Sequence, residues 1–214
     1  MKTILCYGDS LTWGYSAEKL GRHDYEDRWP SVLQAELGSA VRVIPEGLNG
    51  RTTAYDDHLA DADRNGARIL PTVLATHDPL DLVIILLGTN DLKPFICGHA
   101  IGSKQGIERL VELTRNHAYF FDAPPPAVLL VSPPPLCETD NADFAEMFDG
   151  GIAESKKLAV HYSQVAELYK CGFFDAGTVA RTTPVDGIHL DAENTRAIGR
   201  ALALVARKML GLTV

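Results

Sequence analysis

Leu82-Val83-Ile84-Ile85-Leu86-Leu87 is the most apolar run in the chain, and Gly88-Thr89-Asn90-Asp91 follows it directly. A strand with one wet face alternates apolar and polar residues, whereas a strand covered on both faces of a parallel sheet reads as a continuous apolar run. This stretch is of the second kind, so helices are expected on both sides of the sheet that contains it. Working outward, Thr3-Ile4-Leu5-Cys6-Tyr7 has strand composition and stops at Gly8, and Val41-Arg42-Val43-Ile44 alternates briefly before the Glu46 to Gly50 turn. Val128-Leu129-Leu130-Val131 and a short Phe173-Phe174 strand follow downstream.

Helices fall between these strands. One opens at Arg28-Trp29-Pro30, turns Val32, Leu33 and Leu37 inward and stops at Gly38. A second runs from about Gly66 to Thr76, with Pro71 either kinking it or marking its start. A third begins near Ser103, with Ile107, Leu110, Val111 and Thr114 on one face. A fourth spans about Ile152 to Tyr169 and buries Leu158, Tyr162, Val165 and Tyr169. The last has Asp191 as its N-cap and lines up Ile198, Leu202, Val205 and Met209. Ser16 to Asp27 and Asp56 to Asn65 read as surface loops, Asp122 to Pro126 as a stiff connector, and Pro133 to Pro135 as an abrupt strand end. Strand and helix alternate throughout, which implies an α/β fold with a doubly wound parallel sheet of about five strands and right-handed crossovers. No repeat or linker divides residues 1–214, so a single domain is expected.

Composition narrows the functional classes. A formal net charge of −8 argues against a nucleic-acid partner, which would call for a basic face. Cys6, Cys97, Cys137 and Cys171 are widely spaced, which suggests neither a zinc site nor a disulfide scaffold. The apolar start of the chain ends at Gly8-Asp9, too soon for a signal-peptide core, and no stretch is long enough to span a bilayer. A cytoplasmic location without membrane attachment is the expectation.

The first strand runs into Gly8-Asp9-Ser10-Leu11-Thr12-Trp13-Gly14, which sets Ser10 at the carboxyl edge of the sheet, where open α/β folds bind ligands. A serine hydroxyl is a poor nucleophile until a base takes its proton. Thr12 stands where a G-x-S-x-G elbow would have its second glycine, which argues against the standard α/β-hydrolase architecture.

Four blocks in order, Gly8-Asp9-Ser10-Leu11, Glu46 to Thr53, Gly88-Thr89-Asn90-Asp91 and Asp186-Gly187-Ile188-His189, resemble the signature of the GDSL, or SGNH, hydrolases. Trp13-Gly14 and the Val131 to Leu136 segment bring the bacterial arylesterase and acyltransferase (perhydrolase) subgroup nearest. The resemblance implies a three-layer α/β/α sandwich with a flavodoxin-like sheet. It also implies a cofactor-free serine esterase for small esters, with Ser10 as nucleophile, His189 as base and Asp186 as the carboxylate that orients it. The D-x-x-H spacing lets the last two side chains turn the same way and reach Ser10 as one unit. His23, His58, His77, His99, His117 and His161 fall in loops or helices without such company. By the same resemblance Ser10 N–H, Gly50 N–H and the Asn90 amide form the oxyanion hole, while Asp9 and Asp91 hold their loops through backbone hydrogen bonds. Leu11, Tyr15 and Ile188 flank the triad and are expected as pocket walls. Phe144 and Phe148, four apart, present either one aromatic pocket face or plain core packing. Trp13 either walls the pocket or packs inside, and Lys93 is placed at the entrance. Relatives self-associate, so a homo-oligomer is expected. A carbohydrate O-deacetylase or a lysophospholipase would use the same triad, and the reading from another class is a non-catalytic flavodoxin-like binding domain. Against the latter, no glycine-rich phosphate loop follows the first strand.

Overall fold

The computed structural model describes residues 1–120 and 123–212; Asp122, first residue of the proline-rich connector, lies outside them. In chain order the elements are β1 (Lys2–Gly8), α1 (Ser10–Trp13), the short pair β2 (Tyr15–Ser16) and β3 (Gly21–Arg22), α2 (Trp29–Leu37) and β4 (Val41–Gly47). There follow α3 (Gly66–His77), β5 (Leu82–Leu86), α4 (Ala100–Arg115), β6 (Ala127–Ser132), α5 (Ala142–Met147), α6 (Gly151–Ser155), α7 (Leu158–Tyr169), β7 (Gly172–Asp175) and α8 (Ala192–Leu210). Five strands form one sheet in the order β4-β1-β5-β6-β7, with every neighbouring pair parallel. Two further short strands, β2 and β3, pair antiparallel.

The strands of this sheet feed two separate cores, as the unbroken apolar runs require. Along β1, Ile4 and Cys6 face one core while Leu5 and Tyr7 face the other; in β5, Leu82, Ile84 and Leu86 part in the same way from Val83 and Ile85. On the first side α2 and α8 pack on each other through Trp29, Leu33, Ile198 and Leu202. On the second, α3, α4 and α7 supply Leu70, Leu74, Ile107, Leu110, Tyr162 and Val165. Each such side chain contributes about 1.5–3 kcal/mol when fully removed from water, so β1 and β5 each help to anchor both layers.

The order of the sheet decides where chemistry can happen. The chain winds one way from β1 to β4 and the other way from β5 onward, so a crevice opens outside the carboxyl ends of β1 and β5. Ser10 leaves β1 at that point and Asn90 leaves β5. Gly47, at the end of β4, closes the third side: a Cβ there would meet the Trp13 backbone nitrogen at 2.3 Å, so only glycine lets α1 lie this close to β4.

Several expectations need correction. The helix read from Ile152 to Tyr169 is two helices, broken at Lys156-Lys157, because Ser155 turns inward, donating its Oγ–H to the Ile152 carbonyl and accepting from Leu136 N–H. Tyr169 is only partly buried. Helix α4 starts at Ala100 rather than near Ser103, since the Glu154 carboxylate, distant in sequence, accepts Ala100 N–H at 2.8 Å. Helix α3 begins five residues ahead of Pro71, capped by the Asn65 side chain, and continues past the proline to His77. Ser16 to Asp27 is more than a surface loop. It holds β3 and buries Ser16, Ala17 and His23, the last with its Nε2 at 3.0 Å from the Leu190 carbonyl. Among the described residues no helix is long and apolar enough to cross a membrane.

Candidate active site

Asp9 follows β1 and caps α1: its Oδ1 accepts Leu11 N–H at 2.9 Å and so turns the chain sharply after the strand. Ser10 is thereby the first residue of a one-turn helix, buried to 7% exposure, with its hydroxyl aimed across the crevice. The Ser10 Oγ lies 2.9 Å from His189 Nε2, and His189 Nδ1 lies 2.6 Å from Asp186 Oδ2. The other oxygen of Asp186 accepts the backbone N–H groups of Ile188 and His189 at 3.0 and 2.9 Å. Burial alone would raise the Asp186 pKa, but the His189 hydrogen bond and charge, with these two N–H groups, outweigh it and hold the carboxyl below its ordinary value. The ring of His189 is held from the sides as well. Tyr15 packs on it with centroids 4.4 Å apart, and Phe144 meets it edge to face at 6.2 Å.

The loop after β4 brings the next group. Arg51 is almost wholly buried; its Nη1 donates to the carbonyls of Gly8 and Glu46, and its guanidinium lies 4.2 Å over the Tyr7 ring. It thus ties the ends of β1 and β4 to the turn bearing Gly50, whose φ of +80° belongs to the left-handed region glycine enters freely. The Asn90 amide donates to the Arg51 carbonyl at 3.2 Å, which fixes the side chain and leaves its second N–H uncommitted. Among the described residues neither Ser10 N–H nor Gly50 N–H donates to a protein acceptor. Three donors are therefore unspent beside the Ser10 hydroxyl. Asp91 joins this loop to the next, its two oxygens accepting Thr53 N–H and Oγ1–H at 2.8 and 2.6 Å.

The two supporting carboxyls carry a pH signature. Burial pushes Asp9 up to about 7 and Asp91 up to about 6, and among the described residues the second oxygen of Asp9 is buried without a partner. An unfolded Asp titrates near ~3.9, so the folded state holds these protons more tightly than the unfolded state. Stability tied to them is complete below that value and is lost as pH rises through about 6 and 7. Asp9→Asn keeps an oxygen for Leu11 N–H and removes one of the two titrations. It is expected to outlast the wild type in urea by on the order of a few kcal/mol at pH ~8.5, and by much less at pH ~5. A wild-type-minus-variant difference that is flat with pH would refute burial as the cause.

Ser10, Tyr15, Gly50, Asn90, Lys93, Phe144, Phe148, Ile188 and His189 line one cavity of about 260 Å³, together with Asn49 and Met147. Leu11 and Trp13 do not. Leu11 is buried in the core beside Ile4, Cys6 and Trp29, because the capped turn after β1 points it inward. Trp13 is covered instead by the Arg22 guanidinium, 4.5 Å over its ring. Asn49 and Met147 escaped the sequence reading: neither sits in a periodic pattern, and α5, which supplies Met147, is set off by an Asn141 cap rather than by hydrophobic spacing. A larger cavity of about 430 Å³ shares the Phe144, Phe148 and Ile188 wall without reaching Ser10.

Residues 6–197 match the GDSL-like Lipase/Acylhydrolase family. The chain belongs to that family. Its likeness to solved members extends over the whole fold. A carbohydrate acetylesterase family member from Sinorhizobium meliloti is 65% identical, with a TM-score of 0.98 over 99% of this chain and 100% of that one. The aryl esterase of M. smegmatis is 44% identical, with a TM-score of 0.93 over 98% of this chain and 100% of that one. An acetylxylan esterase of Xylanibacter ruminicola is 24% identical over 218 residues; the match takes in 94% of this chain, which spans 42% of that relative's length. As a GDSL-family member the chain is a carboxylic ester hydrolase, arylesterase-like in sequence and fold.

Proposed function

We propose that this GDSL-family hydrolase cleaves small acyl esters, acetate among them, through an acyl-serine intermediate. The observation that carries the reading is the unbroken chain from Ser10 Oγ to His189 Nε2 at 2.9 Å and from Nδ1 to Asp186 at 2.6 Å. His189 takes the hydroxyl proton as Ser10 attacks the carbonyl carbon, and later passes it to the departing alkoxide. Ser10 N–H, Gly50 N–H and the free Asn90 N–H take the oxyanion. One such donor is typically worth about 2.7–4 kcal/mol in the transition state. Water then repeats the sequence on the acyl-enzyme, and an alcohol or peroxide in its place would give acyl transfer. The cavity of about 260 Å³, walled by Tyr15, Phe144 and Phe148, supports short acyl chains over long ones. The relatives named for carbohydrate acetyl esters favour acetylated sugars as a second substrate reading. A homo-oligomer and a cytoplasmic location belong to the same proposal, and sedimentation velocity tests the first.

A fluorophosphonate probe should label the chain stoichiometrically and at Ser10, and hydrolysis should fall in step with labelling. Rates should rank aryl acetates and acetylated sugars above palmitoyl esters and lysophospholipids. Absence of labelling would favour a binding domain, and a long-chain preference would favour a lysophospholipase.

A further inference from the structure

We infer that Lys93 makes this site selective for esters that carry an anionic group, such as a carboxylate, a few ångströms from the scissile carbonyl. The inference deepens the serine esterase reading and rests on it. The lining of the Ser10 cavity includes tyrosine, phenylalanines, methionine, isoleucine and two asparagines, and no Asp or Glu. Lys93 is the one lysine or arginine among these residues. Its ammonium is set between aromatic faces, 5.7 Å from the Phe148 ring centroid and 5.9 Å from that of Phe95.

Among the described residues Lys93 forms no ion pair, and of the lysines that form none (Lys93, Lys104, Lys156, Lys170 and Lys208) it is the one that lines the Ser10 cavity. Lys2, Lys19 and Lys157 each have a carboxylate within 2.8 Å. Lys93 feels acids only at a distance, through Asp57 and Asp9, with Arg64 opposing them. Asp9 is itself pushed up to about 7 and turns Oδ1 to the Leu11 N–H, so in neutral solution it offers Lys93 only about half a charge. Burial lowers the Lys93 pKa, the mark of a cation short of solvent. Aromatic faces compensate only in part. A cation in this state gains most from an anion brought to it, and the cavity that Lys93 lines is where the ester must sit. The preference is local, since the chain as a whole carries a formal charge of −8 and repels anions from afar.

Two matched pairs test this on the intact protein. One puts the charge on the alcohol side: 4-acetoxybenzoate against 4-acetoxybenzamide. The other puts it on the acyl side: 4-nitrophenyl hydrogen glutarate against its methyl ester. Each rate is corrected for spontaneous hydrolysis. In the wild type, kcat/KM should favour the anionic member of at least one pair by about tenfold or more, a difference of about 1.4 kcal/mol. The pair that responds locates the anion on the acyl or the alcohol side. Lys93→Met should bring that ratio close to one, mainly through KM, Lys93→Glu should invert it, and Lys93→Arg should retain most of it. If the wild type shows no anionic preference in either pair, the inference is wrong. It is equally overturned if Lys93→Met slows both members by one factor, since Lys93 would then serve the oxyanion rather than the substrate's charge. The wild-type ratio decides the question even if a variant fails to fold. Fluorophosphonate labelling separates the two levels of the argument: a labelled enzyme without anionic preference overturns this inference alone, whereas an unlabelled, inactive chain overturns the esterase reading and this inference with it.

Discussion

Ser10→Ala is expected to lower kcat/KM for 4-nitrophenyl acetate by about 10⁴–10⁶-fold while leaving thermal unfolding close to that of the wild type. The size follows from the covalent route. Without the hydroxyl no acyl-enzyme forms, and the residual rate is what the oxyanion donors and substrate binding provide to a water molecule. The small effect on stability follows from the contacts. Among the described residues Ser10 Oγ bonds only to His189 Nε2, and the turn that positions residue 10 is held by Asp9 Oδ1 and by backbone bonds from Thr12 and Gly14. Alanine keeps its own N–H for the oxyanion as well. His189→Ala should cost nearly as much, and the double variant little more than either single one, because the two side chains act as a unit. Retention of more than about a tenth of the wild-type activity in Ser10→Ala would remove Ser10 from the mechanism.

The sheet and the four loops at its carboxyl edge were legible in the sequence because each is marked locally. An apolar run such as Leu82 to Leu87 has one physical use in a chain of this size, and both faces of β5 are indeed covered. Asp191 announces the last helix because a short acceptor side chain ahead of a periodic stretch satisfies an orphan N–H, here that of Asn194. What stayed hidden depends on partners far away in the chain. Glu154 starts α4 from 54 residues downstream, and Ser155 breaks a helix in order to satisfy Leu136. His23 reads as a loop histidine, yet it is buried against the Leu190 carbonyl, next to the base itself. Arg51 stands in a recognised block, but nothing in its neighbours says that its guanidinium will cross to the carbonyl of Gly8. The misplacement of Leu11 has the same root. Adjacency to Ser10 along the chain suggested a pocket wall, and the tight turn sends consecutive side chains to opposite sides of the sheet edge.

Asp186→Asn is the second large effect, about 10⁴-fold in kcat, and the hydrogen bonds around the carboxylate explain why so small a change matters. The two oxygens of Asp186 have different work. Oδ1 accepts both Ile188 and His189 backbone N–H groups, and Oδ2 accepts from the His189 ring. An asparagine has one oxygen, and two N–H donors compete for it from fixed backbone positions. The oxygen therefore stays where Oδ1 was, since turning the amide over would aim its NH₂ at two donors and leave both unpaired. The NH₂ then faces His189 Nδ1, which must accept, so the ring proton is driven to Nε2. That nitrogen, 2.9 Å from Ser10 Oγ, becomes a donor to the hydroxyl and can no longer take its proton. Volume and backbone contacts are unchanged and only the ionised carboxylate's share of stability is lost, so the fold should persist with a modest drop in unfolding temperature while fluorophosphonate labelling of Ser10 slows in proportion to kcat. Asp186→Glu cannot serve as a control, because its longer arm would lift the carboxylate away from both N–H groups. Near-wild-type labelling of Asp186→Asn would mean that the ring keeps its Nδ1 proton without the carboxylate, and the orienting role assigned to Asp186 would fall.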